Sequence, residues 1–216
     1  MHVVAETRRE TGWAGLQICA VLFTIVAGLW TQGSTQIFWF AAAFITLLIC
    51  VVSSRPKYEE LGIGYRGLTG ASLWALPTAF LASTAMLFIA WQSGTLRPLH
   101  GNLPVHFHAI FYAIWAFEQQ FILNSFFYRR FEILFGESKA MVITAALFAL
   151  VHLPNPVLVP ATFVGALFFI TVFRRWRNIY PLAIAHAVLG LTLAVVFPDS
   201  LMRHMRVGLG YLTFPS

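Results

Sequence analysis

Three ionisable side chains of this sequence lie inside long apolar segments, where such groups are rare. They are Glu118, His152 and His186. A carboxylate and an imidazole together can activate water, because the carboxylate takes a proton while the imidazole orients the molecule. A second imidazole can donate a hydrogen bond to the oxyanion that forms when water adds to a carbonyl group. These residue types predict a hydrolytic site, and two His with one Glu are also a common catalytic zinc set.

Glu118 is the strongest of these signals. It is the only one of the eight acidic residues that falls inside a predicted membrane helix, since the others lie in connecting segments. An acid at that depth costs roughly 3 kcal/mol unless it faces a cavity or a partner. The alternative is a structural glutamate hydrogen-bonded to a neighbouring helix, together with histidines that are only packed. The sequence contains neither an H-E-x-x-H zinc motif nor a G-x-S-x-G nucleophile motif.

The elements that must position these residues are membrane helices. Hydrophobic residues make up 59% of the 216 residues and charged residues only 10%, and the mean hydropathy is +0.76. A bilayer needs about 20 mostly apolar residues per helical span. We therefore expect an all-α polytopic membrane protein with an intramembrane polar site and about seven transmembrane helices, with the tail from Leu201 as an interfacial segment or an eighth element. The predicted spans cover 14–30, 36–52, 71–91, 105–128, 140–153, 157–173 and 180–197.

The positions of the positive charges predict the orientation of these helices. Eleven of the 14 Lys and Arg residues fall on the side of the membrane that holds the N-terminus, an excess typical of the cytoplasmic side. The N-terminus is therefore expected in the cytoplasm, and the net charge of +6 needs no nucleic-acid partner. We expect an integral protein of the bacterial inner membrane, in contact with membrane lipid. Arg129 and Arg130 are expected to anchor one span at the cytoplasmic surface.

Helix geometry allows the three ionisable residues to share one site. At about 1.5 Å per residue, Glu118 lies roughly 15 Å from the cytoplasmic end of its span, His186 roughly 9 Å and His152 roughly 18 Å. Helix tilt brings such depths together. We therefore expect a Glu, His, His cluster near the middle of the membrane.

Short motifs around these residues resemble the CPBP family of intramembrane proteases, which includes the CAAX prenyl endopeptidases and bacterial abortive-infection and bacteriocin-processing relatives. The family pattern is E-E-x-x-x-R on one helix, F-x-x-x-H on the next, and H-x-x-x-N or H-x-x-x-D on a later one. The matching segments here are Glu118–Leu123, Phe148–His152 and His186–Gly190. The second motif matches in full, and Tyr180–Pro181 provides the aromatic-Pro entry that is typical before the third.

Three positions depart from the family pattern. Gln119 replaces the second Glu, Leu123 replaces the Arg, and Gly190 replaces the Asn or Asp. The changes at 119 and 123 offset each other in charge, which favours a diverged subfamily over random decay. Gly190 has no side-chain donor, and removing one oxyanion donor typically costs about 100-fold to 1,000-fold in rate. Gln119, Gln120 and Asn124 are the candidates for filling this position.

The resemblance implies a role for each family residue that this sequence keeps. Glu118 would be the general base, His152 its partner in activating water, and His186 a donor to the oxyanion. Asn155 is expected to be a turn residue between two prolines, with a substrate or oxyanion contact as the alternative. No metal is expected, and the alternative is zinc or another divalent metal bound by Glu118, His152 and His186.

We therefore expect an intramembrane endopeptidase that acts on a membrane-associated or lipid-modified protein or peptide substrate. The predicted organisation is one membrane unit, with three N-terminal spans in 1–104, a CPBP-like catalytic core of four spans in 105–197 and an interfacial tail in 198–216. Two alternatives stay open. One is a catalytically weakened scaffold or immunity-type binding protein of the same fold, which Gln119 and Gly190 favour. The other is a proton-coupled transporter that uses Glu118 and the histidines as a relay.

Overall fold

The structure is a computed structural model that describes residues 2–97 and 105–214, and the side chains of residues 12–97 and 109–214. Its α-helices are α1 (His2–Leu29), α2 (Gly33–Ser54), α3 (Tyr58–Leu61), α4 (Leu68–Gln92), α5 (Val105–Gln120), α6 (Arg129–Phe135), α7 (Glu137–Leu150), α8 (Leu158–Trp176), α9 (Tyr180–Val196), α10 (Asp199–Met202) and α11 (Gly208–Leu212). A π-helical segment, Phe121–Tyr128, joins α5 to α6, and one 3-10 turn, Arg203–Met205, follows α10. No β-strand occurs within the described residues.

Each of the seven predicted spans is built on a helix, which confirms the all-α class of a polytopic membrane protein. Among the described residues, four helices are long and apolar enough to cross a membrane, over Gly12–Leu29, Gly33–Ser54, Leu68–Gln92 and Leu158–Trp176. Helix α9 has 17 residues and α7 has 14. At about 1.5 Å per residue, both are shorter than the roughly 30 Å of a hydrocarbon core. The number of seven or eight spans therefore stays a prediction.

Small side chains along α4 allow it to pack closely against its neighbours. Ala71, Ala75, Ala79 and Ser83 recur every four residues and are all buried. Small residues at this spacing let helix backbones approach each other in a membrane. Helix α9 packs against both α4 and α5, so the helix that carries His186 is held between them.

The helix that carries Glu118 changes its winding just after that residue. Helix α5 ends at Gln120, and Phe121–Tyr128 continues in π geometry, with hydrogen bonds that span five residues in place of four. The side chains from Leu123 to Tyr128 are all buried. Within this segment, the Ser125 hydroxyl donates a hydrogen bond to the Leu61 carbonyl at 2.6 Å. The π segment, a form frequent at functional sites, is thus fixed to α3.

Arg130 lies buried among helices, whereas its position after a predicted span indicated a surface anchor. Its Nε donates to Oε1 of Gln17 at 2.8 Å, and its Nη2 donates to the Cys50 carbonyl at 3.4 Å. A guanidinium has five N–H donors in a fixed fork, so it can serve several helices at once. Arg130 therefore joins α1, α2 and α6. Arg129 is paired with Glu60 at 3.0 Å.

The C-terminal tail folds back over the loop that follows α7. Asn155 Nδ2 donates to the Met202 carbonyl at 3.0 Å, and the Gly208 N–H donates to the Leu153 carbonyl at 2.7 Å. Gly208 has a φ of +57°, and a Cβ there would lie 2.1 Å from the carbonyl oxygen of Leu29. Only glycine suits both the backbone conformation and the close approach. The tail therefore packs against the ends of α1 and α7.

Candidate active site

The three predicted site residues lie on different elements. Glu118 is in the last turn of α5, and His186 is inside α9. His152 is predicted within the fifth span, but α7 ends at Leu150 and His152 lies in the turn that follows. The helix cannot continue regularly through Pro154, because proline has no N–H to donate to the Leu150 carbonyl and its ring clashes with that carbonyl.

A hydrogen bond to the backbone selects the tautomer of His152. Its Nδ1 lies 2.6 Å from the carbonyl oxygen of Phe148. A carbonyl oxygen only accepts, so in the neutral imidazole Nδ1 carries the proton and Nε2 keeps its lone pair. The F-x-x-x-H spacing places the two groups together, because residue i+4 lies one turn above the carbonyl of residue i. His152 therefore offers an acceptor at Nε2.

His186 is held in the opposite tautomer by side chains of the Glu118 helix. The amide nitrogen of Gln120 lies 3.1 Å from His186 Nδ1, and the amide oxygen of Gln120 accepts a hydrogen bond from Asn124 at 2.7 Å. An amide nitrogen only donates, so Nδ1 of His186 accepts and the proton is on Nε2. The imidazole also stacks on Phe169, with ring centroids 5.6 Å apart. His186 therefore offers a donor at Nε2.

The two imidazoles line one small cavity, of about 160 Å³. Each side chain is only 9% exposed, and no described residue bonds to either Nε2. The cavity thus has a hydrogen-bond acceptor from His152 and a donor from His186. Such a pair can hold a water molecule or a polar group of a ligand.

Glu118 faces a second, larger cavity of about 430 Å³. Its walls are mostly apolar side chains of α1, α2, α5 and α7, and its polar lining residues are Glu118, Gln119, Thr144 and His152. Glu118 is partly exposed and forms no hydrogen bond or ion pair with any residue whose side chain is described. Glu118 is therefore not a structural glutamate that is hydrogen-bonded to a described side chain of a neighbouring helix. The carboxyl is available to a ligand that enters this cavity.

His152 and Gln119 lie between the two cavities. Both residues line the larger and the smaller one, whereas Glu118 lines only the larger and His186 only the smaller. The structure thus brings His152 together with each of the other two residues, but does not gather all three around one point. Within the described parts of the chain, no three His, Cys, Asp or Glu side chains are arranged to hold a metal ion. The set Glu118, His152 and His186 does not fit the zinc site considered from the sequence.

The four auxiliary candidates fall into three groups. Gln119 lines both cavities. Gln120, which binds His186, and Asn124, which binds Gln120, are both fully buried. Asn155 uses its whole side chain to bind backbone. Its amide nitrogen donates to the carbonyls of residues 202 and 206 at 3.0 and 3.1 Å, and its oxygen accepts from the N–H groups of residues 157 and 158 at 3.1 and 3.0 Å. Asn155 has no donor left for an oxyanion, which corrects that alternative in favour of the turn residue.

Tyr112 is a further residue of this site that the motifs do not indicate. It lines the smaller cavity with His152, His186 and Gly190. The only sequence signal was a lone phenol on the apolar helix that also carries Glu118, one to two turns before that residue. Such a residue resembles the many aromatic side chains of a membrane helix, so the structure was needed to place it.

Comparison with known proteins agrees with the motifs. Residues 101–192 match the family model described as type II CAAX prenyl endopeptidase Rce1-like, a range that contains all three motifs from Glu118 to Gly190. No curated protein and no solved structure matches the chain significantly. The family predicted from the motifs over 105–197 is confirmed. The match supports the assignment of residues 101–192 of this chain to the CPBP/CAAX protease family.

Proposed function

We propose that this protein is an intramembrane endopeptidase that hydrolyses a peptide bond of a membrane-associated or lipid-modified protein. The observation that carries the proposal is the Glu118 carboxyl, which has no partner among the described side chains and lines the same cavity as His152, whose Nε2 is an acceptor. An unpaired acid in a membrane helix indicates a functional site. The match of residues 101–192 to a family of peptidases supports the reaction class.

The proposed reaction uses water as the nucleophile. The Glu118 carboxylate takes a proton from the water, and the resulting hydroxide adds to the scissile carbonyl carbon. Nε2 of His152 accepts a hydrogen bond from the same water and orients it. Nε2–H of His186 donates to the oxyanion. When the tetrahedral intermediate collapses, the C–N bond breaks and the proton on Glu118 passes to the leaving amine.

The larger cavity is suited to bind an apolar group of the substrate next to the scissile bond. Its volume of about 430 Å³ lies in the usual range for ligand sites. Its walls come from α1 and α2 as well as from the motif-bearing helices. Burying a polar group against such walls without a partner is unfavourable. We therefore assign this cavity to a lipid-modified or strongly apolar residue of the substrate.

We further propose that the N-terminus is cytoplasmic and that the membrane is a bacterial inner membrane. The support is the cluster of ion pairs at the end of the bundle that carries most of the positive charge. These pairs are Arg129–Glu60, Arg177–Glu132 and Arg174–Glu137. A reporter enzyme that is active only outside the cytoplasm tests the orientation. We expect activity when it is fused after Thr95 and none when it is fused after Lys57, and the reverse would contradict this orientation.

Mass spectrometry of protein termini tests the proposed activity without a known substrate. Membranes are compared after equal expression of the wild type, Glu118→Gln and Glu59→Gln. Glu59 is an exposed acid outside the cavity that Glu118 lines, so it is a matched control. We expect new termini with the wild type and Glu59→Gln that are missing with Glu118→Gln. The same new termini in all three membranes would contradict the proposal.

A further inference from the structure

The hydroxyl of Tyr112 occupies the space that a side chain at position 190 would need. A Cβ built on Gly190 would lie 2.0 Å from Tyr112 Oη, 2.6 Å from Cζ and 2.7 Å from Cε1. Atoms of a packed protein interior do not approach each other so closely. Glycine is otherwise unfavourable in the middle of a helix such as α9. The reason for glycine here is therefore the room that it leaves for Tyr112.

The Tyr112 side chain also lines the smaller cavity, into which the sequence motifs place polar residues. Gly190 follows His186 by one helical turn, so the two residues lie on one face of α9. Tyr112 reaches this face from α5 and lines the cavity with both histidines. Its hydroxyl bonds to no residue whose side chain the structure describes. The O–H is therefore available to a ligand.

We propose that the Tyr112 hydroxyl and the Nε2–H of His186 together bind the oxyanion of the tetrahedral intermediate. This inference deepens the proposed endopeptidase function and rests on it. A phenol donates one hydrogen bond and gives up no proton in this role. Two preorganised donors aimed at the developing negative charge stabilise it more than one does. The donor missing at Gly190 is thus supplied from α5.

Removal of the single hydroxyl oxygen tests the role of Tyr112. The probe is an internally quenched, farnesylated peptide with a CAAX-type C-terminus, incubated with the purified full-length protein in detergent. We expect Tyr112→Phe to lower kcat by about 100-fold to 1,000-fold, with KM changed by less than about threefold. Tyr65→Phe is the matched control, because Tyr65 is 93% exposed, and it should keep the wild-type rate.

Moving the donor back to α9 provides a second test. Tyr112→Ala leaves the space empty, and a Gly190→Asn substitution in that background should fill it with an amide donor. We expect the double variant to be at least about tenfold faster than Tyr112→Ala alone. Gly190→Asn alone should melt at a lower temperature than the double variant, because Tyr112 then blocks the new side chain. A folded double variant no faster than Tyr112→Ala would contradict the proposal.

Two different results would overturn the role of Tyr112 alone and the endopeptidase function as a whole. If Glu118→Gln abolishes cleavage while Tyr112→Phe keeps the wild-type kcat, the role of Tyr112 is overturned and the endopeptidase stands. If the wild-type protein leaves the peptide intact and also creates no new protein termini in membranes, the endopeptidase and the role of Tyr112 are overturned together.

Discussion

The side-chain amide of Gln120 donates a hydrogen bond to Nδ1 of His186 at 3.1 Å. Its oxygen accepts a hydrogen bond from the Asn124 amide at 2.7 Å. His186 is thereby left with a proton on Nε2, whereas the bond from His152 to the Phe148 carbonyl leaves His152 with a lone pair there. Two imidazoles in similarly apolar surroundings thus have opposite hydrogen-bonding functions.

Replacing Gln120 by Leu tests this assignment. The change removes a hydrogen bond worth about 1 kcal/mol. His186 then no longer favours the Nε2–H tautomer over the Nδ1–H tautomer by that amount. We expect kcat to fall about fivefold with little change in KM, while the exposed control Gln92→Leu has no effect. Nitrogen NMR shifts of His186 should show Nε2–H in the wild type and a tautomer mixture in the variant. A wild type protonated at Nδ1 would contradict the assignment.

Removal of divalent metal should not affect cleavage. Glu118 and His186 line different cavities, so with His152 they do not form a three-ligand site. We expect the rate of peptide cleavage to be the same before and after dialysis against a strong chelator, with metal content measured on the same samples. Stoichiometric zinc that is lost together with activity would show that the site is metal-dependent.

Replacing Asn155 should affect stability and leave chemistry intact. The side chain makes four hydrogen bonds to backbone groups of the α8 start and the tail. We expect Asn155→Ala to lower the free energy of unfolding by at least about 2 kcal/mol. Asn155→Asp keeps the acceptor and loses the donors, so it should be intermediate. Thermal unfolding in detergent measures both, and a reduced rate per folded molecule at unchanged stability would indicate a catalytic contact instead.

The pair of Arg97 and Asp199 predicts a loss of stability in acid. The hydrogen bond from the Arg97 guanidinium, at 3.1 Å, lowers the pKa of Asp199, and His204 lies 3.6 Å from the same carboxylate. Because the folded-state pKa is below the unfolded value of about 3.9, the pair stabilises the protein above that pH and stops doing so as the pH falls through the folded pKa.

Asp199→Asn measures this contribution directly. We expect the variant to unfold at a lower temperature than the wild type at pH 7, and the difference should shrink as the pH falls below the unfolded-state pKa of about 3.9. The unfolding temperature of both proteins is followed across this range. A difference that is equally large at pH 7 and at pH 3 would mean that the carboxylate charge is not its cause.

Apolar run length predicted the helices well and their ends less well. The seven segments all contain helices because about 20 uncharged apolar residues have few other stable forms in a membrane. His152 was placed inside a helix, yet it lies in the turn after Leu150, where the bond to the Phe148 carbonyl can form. Arg130 was placed at the surface, yet Gln17 from a distant part of the chain binds it.

The sequence motifs do not predict which residues of different helices are in contact. The approach of Tyr112 to Gly190 depends on how α5 is rotated against α9, and no pattern within either helix specifies that angle. The change to π geometry after Gln120 also turns the residues that follow it to a different face of the helix. The motifs therefore indicated Glu118, His152 and His186, while the partners that give each imidazole its tautomer required the three-dimensional arrangement.

The most direct test of the central claim is the effect of Glu118→Gln on kcat/KM for the farnesylated CAAX-type peptide. The purified wild type, Glu118→Gln and the control Glu59→Gln are compared at equal folded concentration. Loss of a general base typically costs about 100-fold to 10,000-fold, so we predict a fall of at least about 100-fold in Glu118→Gln and none in Glu59→Gln. Cleavage by Glu118→Gln at the wild-type rate would contradict the account.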